Sequence, residues 1–132
     1  MEIKLGAKTS QTFTVTDEMV RGFADLTGDA NPIHVDDEYA KKSILTQRIA
    51  HGMLIASFFP RVMVNNFLGI GTIYLRQNLS FREPVYIDDE ITVILEIISV
   101  REDKPIITIK TTCMTRGKIA IDGEALVKYP GI

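Results

Sequence analysis

Polar and apolar positions divide the chain into a mainly helical first half and an extended second half. Near the start, Thr12-Phe13-Thr14-Val15 alternates polar and apolar, which is the period of a strand. Thr16 then stands as a helix N-cap, with Asp17 and Glu18 in the first turn, where the helix dipole favours anions. Val20, Phe23, Ala24 and Thr27 recur at helical spacing and make one face of a short helix. Gly28 is placed to end that helix in a left-handed conformation. Asn31-Pro32 signals a turn, and residues 36–42, acidic first and basic last, read as a short surface helix.

Residues 53–59, extended by Val62, Met63, Val64 and Phe67, are apolar on nearly every side, so a helix there needs cover around most of its circumference. Pro60 costs it a backbone hydrogen bond and should kink or divide it. Strands follow over residues 72–81, 90–100, 106–115 and 119–128, rich in Ile, Val, Thr and Tyr. Glu102-Asp103-Lys104-Pro105 and Arg116-Gly117-Lys118 are short enough for hairpin turns, and Gly117 supplies a positive φ. A sheet of about five antiparallel strands beside one apolar helix buries both by curling around it. The expected fold is α+β, a hot-dog: a curved antiparallel sheet wrapped around a long central helix, in one domain spanning residues 1–132. Such a sheet leaves its edges open, and pairing two across a two-fold axis closes them, so a homodimer or larger assembly is expected.

Composition narrows the classes further. A net charge of −2 argues against a broad nucleic-acid footprint. Arg48, Arg61, Arg76, Arg82 and Lys110 form no run in sequence, although they could converge on a small polyanion in space. The single cysteine, Cys113, excludes an intrachain disulfide and a cysteine-based metal cluster, and it suits a small apolar filler in a strand. The start of the chain is mixed and polar, and Arg61 with Asn65-Asn66 interrupts the most apolar stretch, so the default is a cytoplasmic protein with no membrane partner.

Candidate chemistry lies in Thr27-Gly28-Asp29-Ala30-Asn31-Pro32-Ile33-His34. A regular helix or strand would point Asp29 and His34 apart, whereas a turn at Asn31-Pro32 can fold them toward one point. A carboxylate and an imidazole together form a competent acid–base pair near neutral pH. The same residues also suit an ordinary turn, with His34 capping a helix or filling a polar corner, and spacing alone does not choose. Two histidines that are not helix neighbours, without a cysteine cluster, make a metal site unexpected, and no glycine-rich phosphate loop follows a strand.

The run 23–34, followed by Ala40, resembles the hydratase-2 motif of MaoC-like dehydratases at every position that motif fixes. Ala50-His51-Gly52-Met53-Leu54-Ile55-Ala56-Ser57 is similar to the start of that family's central helix, and residues 71–81, Pro84-Val85 and 101–105 match as well. Close to the whole chain resembles the short R-specific enoyl-coenzyme A hydratases linked to polyhydroxyalkanoate supply. The resemblance implies a hot-dog homodimer that adds water reversibly across a trans-2-enoyl thioester, with coenzyme A as part of the substrate and no cofactor. It places the dyad on Asp29 and His34, a supporting asparagine on Asn31, and the N–H that receives the thioester oxygen on Gly52. Asp29 would activate the water and His34 hold it and exchange the proton at C2, two roles that can be interchanged. His51 is expected to be structural, bonding near the helix start and positioning the Gly52 amide. Some relatives carry a serine where this chain has Pro60, and Ser57 is expected to bond back to a backbone carbonyl.

The same residues leave two alternatives open. One keeps the dyad but acts on acyl carrier protein as a 3-hydroxyacyl thioester dehydratase. The other is a non-catalytic acyl-coenzyme A binding module, which has no need of both Asp29 and His34. A thioesterase is disfavoured, because residues 51–66 supply no carboxylate. Phe58 and Phe59 are expected to shorten the acyl site.

Overall fold

The computed structural model describes residues 3–130 as one antiparallel sheet holding a central helical segment. In chain order the elements are β1 (Lys8–Thr14), α1 (Asp17–Thr27), α2 (Pro32–Val35), α3 (Asp37–Lys41), α4 (Gly52–Ala56) and α5 (Phe58–Val62). A π-helical turn, Met63–Phe67, follows, then β2 (Ile73–Gln77), β3 (Ser80–Phe81), β4 (Glu90–Val100), β5 (Ile106–Thr115) and β6 (Lys118–Lys128). The sheet order is β1-β4-β5-β6-β2, with β3 also pairing β6.

Side-chain alternation gives the sheet its inner face. Ile91, Val93, Leu95 and Ile97 of β4, with Ile107, Ile109 and Cys113 of β5, are buried against the helical segment. That segment contributes Ile55, Phe59, Val62 and Met63, all buried. Truncating Phe59 there would cost about 3–5 kcal/mol. The β5–β6 hairpin turns on Arg116 and Gly117, with φ of 48° and 73°, as a two-residue turn with both central residues left-handed.

Two expectations change in detail. The strand expected over 72–81 is two strands, making six in the sheet rather than about five. The break is at Asn78, whose N–H donates to the Glu124 carbonyl (3.0 Å) while its side-chain oxygen accepts from the Glu124 N–H (3.0 Å). Asn78 thus crosses Gly123 so closely that a Cβ there would lie 2.0 Å from the Asn78 carbonyl oxygen. The central helix, expected to be long, runs over residues 52–67 as α4, α5 and the π-helical turn in succession, divided as Pro60 foretold. Its break falls at Ser57, because Pro60 has no N–H for the Ala56 carbonyl and its ring crowds that group.

The elements that frame the site follow their caps. Thr16 accepts from the Met19 N–H to start α1, and Gly28 (φ 81°) ends it. Asn31 caps α2 and Asp36 caps α3. Among the described residues, no helix is long and apolar enough to cross a membrane.

Candidate active site

The end of α1, the single turn of α2 and the first residues of α4 meet around three side chains. Pro32 at the first position of α2 fixes φ for the helix, and the Asn31 side-chain oxygen accepts the Ile33 N–H (3.3 Å). That short turn carries His34, which is 9% exposed. Its Nδ1 lies 2.8 Å from the Ile49 carbonyl oxygen, so Nδ1 carries the hydrogen and the neutral ring keeps its lone pair on Nε2. Burial holds the His34 pKa below the usual imidazole value, and the neighbouring His51 pushes the same way. The Ile49 bond and Asp29 oppose that shift.

Asp29 sits just past the Gly28 stop, exposed to solvent. Its carboxylate accepts the Asn31 N–H (3.4 Å), and its own N–H donates to the Thr27 hydroxyl (3.2 Å). No ion pair among the described residues involves it. His51 occupies the N-cap position of α4 but makes no side-chain cap. Its Nε2–H donates instead to the Asp29 carbonyl (2.8 Å), while its ring stacks on His34 at 3.9 Å between centroids and meets Phe23 at 4.8 Å. His51 Nδ1 is buried with no hydrogen-bond partner. A carboxylate oxygen of Asp29 and a ring nitrogen from each histidine lie within 4.8 Å of one another.

The turn therefore brings together Asp29 and His34, which sequence spacing paired, and adds His51, which reaches the group through the Asp29 backbone rather than by capping α4. Gly52 opens α4, so its N–H is among those with no acceptor inside the helix. A Cβ at Gly52 would fall 2.5 Å from the Phe81 ring. Beside it lies a cleft of about 490 Å³ whose walls include Ile49, Gly52, Met53, Phe81, Val85 and Ile121. A smaller cleft of about 310 Å³ separates α1 from the central segment, between Phe23, Leu26, Leu54 and Phe58. Phe58 stands in that cleft against Phe13, whereas Phe59 is fully buried in the core. The Ser57 hydroxyl donates to the Leu54 carbonyl (2.5 Å), as expected of a serine in a buried helix.

Among the described residues, Asp29, His34 and His51 are the cluster with the donor types for a metal ion, but their geometry suits one poorly. Two of the four ring nitrogens are committed to backbone carbonyls, and stacked rings inclined by 27° keep their in-plane lone pairs in separate layers.

One residue was overlooked in the sequence. In sequence Arg48 is one of several scattered cations, yet it is 6% exposed, and its Nε donates to the His34 carbonyl (2.7 Å). Its place immediately before the apolar run 49–50 was the available signal.

Comparison with known proteins gives a consistent set of matches. The family model for the MaoC like domain matches residues 2–123. An (R)-specific enoyl-CoA hydratase from Rhodospirillum rubrum is 39% identical over 129 residues, covering 98% of this chain and 90% of that protein. A mitochondrial 3-hydroxyacyl-[acyl-carrier-protein] dehydratase from Solanum lycopersicum is 41% identical, covering 98% of this chain and 79% of that protein. Among solved structures, an (R)-hydratase from A. caviae involved in PHA biosynthesis superposes with a TM-score of 0.94 at 40% identity, covering 97% of this chain and 98% of that one.

Proposed function

Since this chain belongs to the MaoC-like domain family, we propose that it is an (R)-specific enoyl-CoA hydratase, a hydro-lyase that interconverts trans-2-enoyl-CoA and (R)-3-hydroxyacyl-CoA. The observation that carries the site reading is the approach of Asp29 and His34, within 4.8 Å, near the first N–H of α4.

The chemistry follows from the hydrogen positions. A water between the two side chains directs one hydrogen to the Asp29 carboxylate and the other to His34 Nε2, the nitrogen left free by the Ile49 bond. As the water oxygen bonds to C3, Nε2 takes its proton and the alkene electrons move through C2 onto the thioester oxygen. The enolate then returns those electrons, and C2 takes the proton from Nε2, leaving His34 neutral again. One water has been added, and no other reactant is required. Asp29 keeps its hydrogen bond throughout, and its charge stabilises the transient imidazolium. The tautomer favours this interchange of the two roles over the assignment of water activation to Asp29. Acid–base assistance of this kind contributes roughly 10²–10⁴-fold in rate.

Gly52 N–H receives the enolate oxygen, where a donor at a helix start is favourably oriented, and Asn31 holds the turn. The absence of a side chain at Gly52 makes room for the Phe81 ring, which packs against the start of α4 and walls the cleft there. No cofactor enters this scheme. The acyl chain fits the apolar cleft beside Gly52.

The working assembly is a homodimer. β2 has one neighbour, β6, and carries exposed Ile73 and Leu75. Pairing β2 with its copy would cover both. The cytoplasm is the proposed setting.

Loss of the conjugated enoyl-thioester absorbance on adding crotonyl-CoA tests the activity. Steady consumption is expected, and binding without consumption would mark an acyl-CoA module instead. The tomato relative keeps a second reading in view, a 3-hydroxyacyl-ACP dehydratase. Comparing rates for one acyl chain on the two carriers separates them, with CoA expected to be the better substrate.

A further inference from the structure

Arg48 is a buried cation that the mechanism does not use. Its guanidinium reaches three groups on three elements: the His34 carbonyl at 2.7 Å, the Asp17 carboxylate at the start of α1, and Asp37 (3.5 Å) at the start of α3. The same Asp17 carboxylate binds Arg21 (3.1 Å), and Arg21 in turn donates to the Val35 carbonyl (3.3 Å).

The two arginines therefore act on one object. α2 is only four residues long, so its last carbonyls lack the acceptor role inside a helix that a longer helix would give them. His34 and Val35 are those last residues, and each carbonyl is taken by an arginine anchored on Asp17. Cations at a helix C-terminus also meet the negative end of its dipole. The strand-like segment carrying Arg48 is tied to α2 a second way, since Ile49 N–H donates to the Ile33 carbonyl (3.1 Å) and the Ile49 carbonyl receives His34 Nδ1–H. Arg48 thus fixes the backbone of His34 while the adjacent residue fixes its ring.

We propose that Arg48 is a positioning residue for His34: with Arg21 and Asp17 it clamps the carbonyl end of the single helical turn that carries the imidazole, keeping Nε2 aimed at the shared water. This rests on the reading of His34 as the acid–base residue. The charged and titratable groups around the turn are Asp17, Arg21, Asp29, Asp36, Asp37, Arg48 and His51, and the clamp accounts for four of them. Its charge is nearly balanced by two carboxylates, so the guanidinium acts chiefly through its directed N–H groups.

The test is Arg48→Met, measured with crotonyl-CoA across pH and by proton–nitrogen NMR of the imidazoles, which a chain with two histidines makes assignable. Expected is a folded protein whose kcat falls roughly ten- to a hundred-fold, the scale of a misplaced catalytic group. KM should change by less than about threefold, because Arg48 touches no substrate. The His34 titration should move up, toward the ordinary imidazole range, as the turn loosens into solvent. Arg48→Lys should recover only part of kcat, since a lysine restores the charge but not the fork. Asp17→Asn should move both readouts in the same direction and by less, and it decides the matter if Arg48→Met does not fold. A folded Arg48→Met with unchanged kcat and His34 titration overturns the proposal, as does lost activity with an unchanged titration. Should the wild-type chain hydrate no enoyl thioester, the proposed activity fails, while the NMR titration still reports on the clamp.

Discussion

His34 is useful as a base because three constraints act on one ring: a carbonyl on Nδ1, an aromatic neighbour on its face, and little water around it. Burial as the main cause of its lowered pKa has a consequence for stability. In the unfolded chain the imidazole protonates near pH 6.5, whereas in the folded chain it resists protonation to lower pH. The unfolded state therefore binds more protons in that window, and stability is lost as pH falls through 6.5 toward the folded value. Melting temperatures at pH 7.5 and 5 should differ more for the wild type than for His34→Gln, and equal differences would remove this role for the ring. The acid limb of kcat should have its midpoint below 6.5 for the same reason. Asp29→Asn and His34→Gln should each lower kcat by at least about a hundredfold while the fold stays intact by circular dichroism. Pairing Asp29 with His34 was legible in the sequence, because a turn residue pair separates them. The stacking of His51 and the burial of Arg48 were not, since both arise from chain segments more than a dozen residues away.

Among the elements, the site depends on short pieces held by caps rather than on long helices. α2 has one turn and is started by the Asn31 side chain, so Asn31→Ala should cost about 1 kcal/mol of stability. Its effect on kcat should exceed what that loss explains, because both Asp29 and His34 flank the turn, and Asn31→Asp should restore most of it. Chemical denaturation beside steady-state kinetics checks both halves. Caps and turns were the most readable features of the chain: Thr16, Gly28 and the Arg116-Gly117 hairpin all fall where residue type predicts. The division of the central helix was foreseen from Pro60, but its position one turn earlier depends on the Ala56 carbonyl that the ring crowds. The split of β2 from β3 was invisible locally, because Asn78 leaves the ladder only by closing on Gly123, far along the chain.

At the scale of the whole molecule, the inner face of the hot-dog is filled, while the sheet ends in two single-neighbour strands, β1 and β2. β4 and β5 lie inside the sheet with both neighbours present, while β2 presents Ile73 (53% exposed) and Leu75 (49%) on an edge. Sedimentation should find a dimer, and Ile73→Lys with Leu75→Lys should shift it to monomer with reduced activity. A wild-type monomer of full activity would refute that assembly. Activity itself depends on the water shared by Asp29 and His34 beside Gly52. Chiral analysis of the product formed from crotonyl-CoA tests it most directly, because it reads reaction and facial selectivity together. The site described here yields (R)-3-hydroxybutyryl-CoA and loses that product in Asp29→Asn; formation of the S isomer, or undiminished R product from the variant, would contradict it.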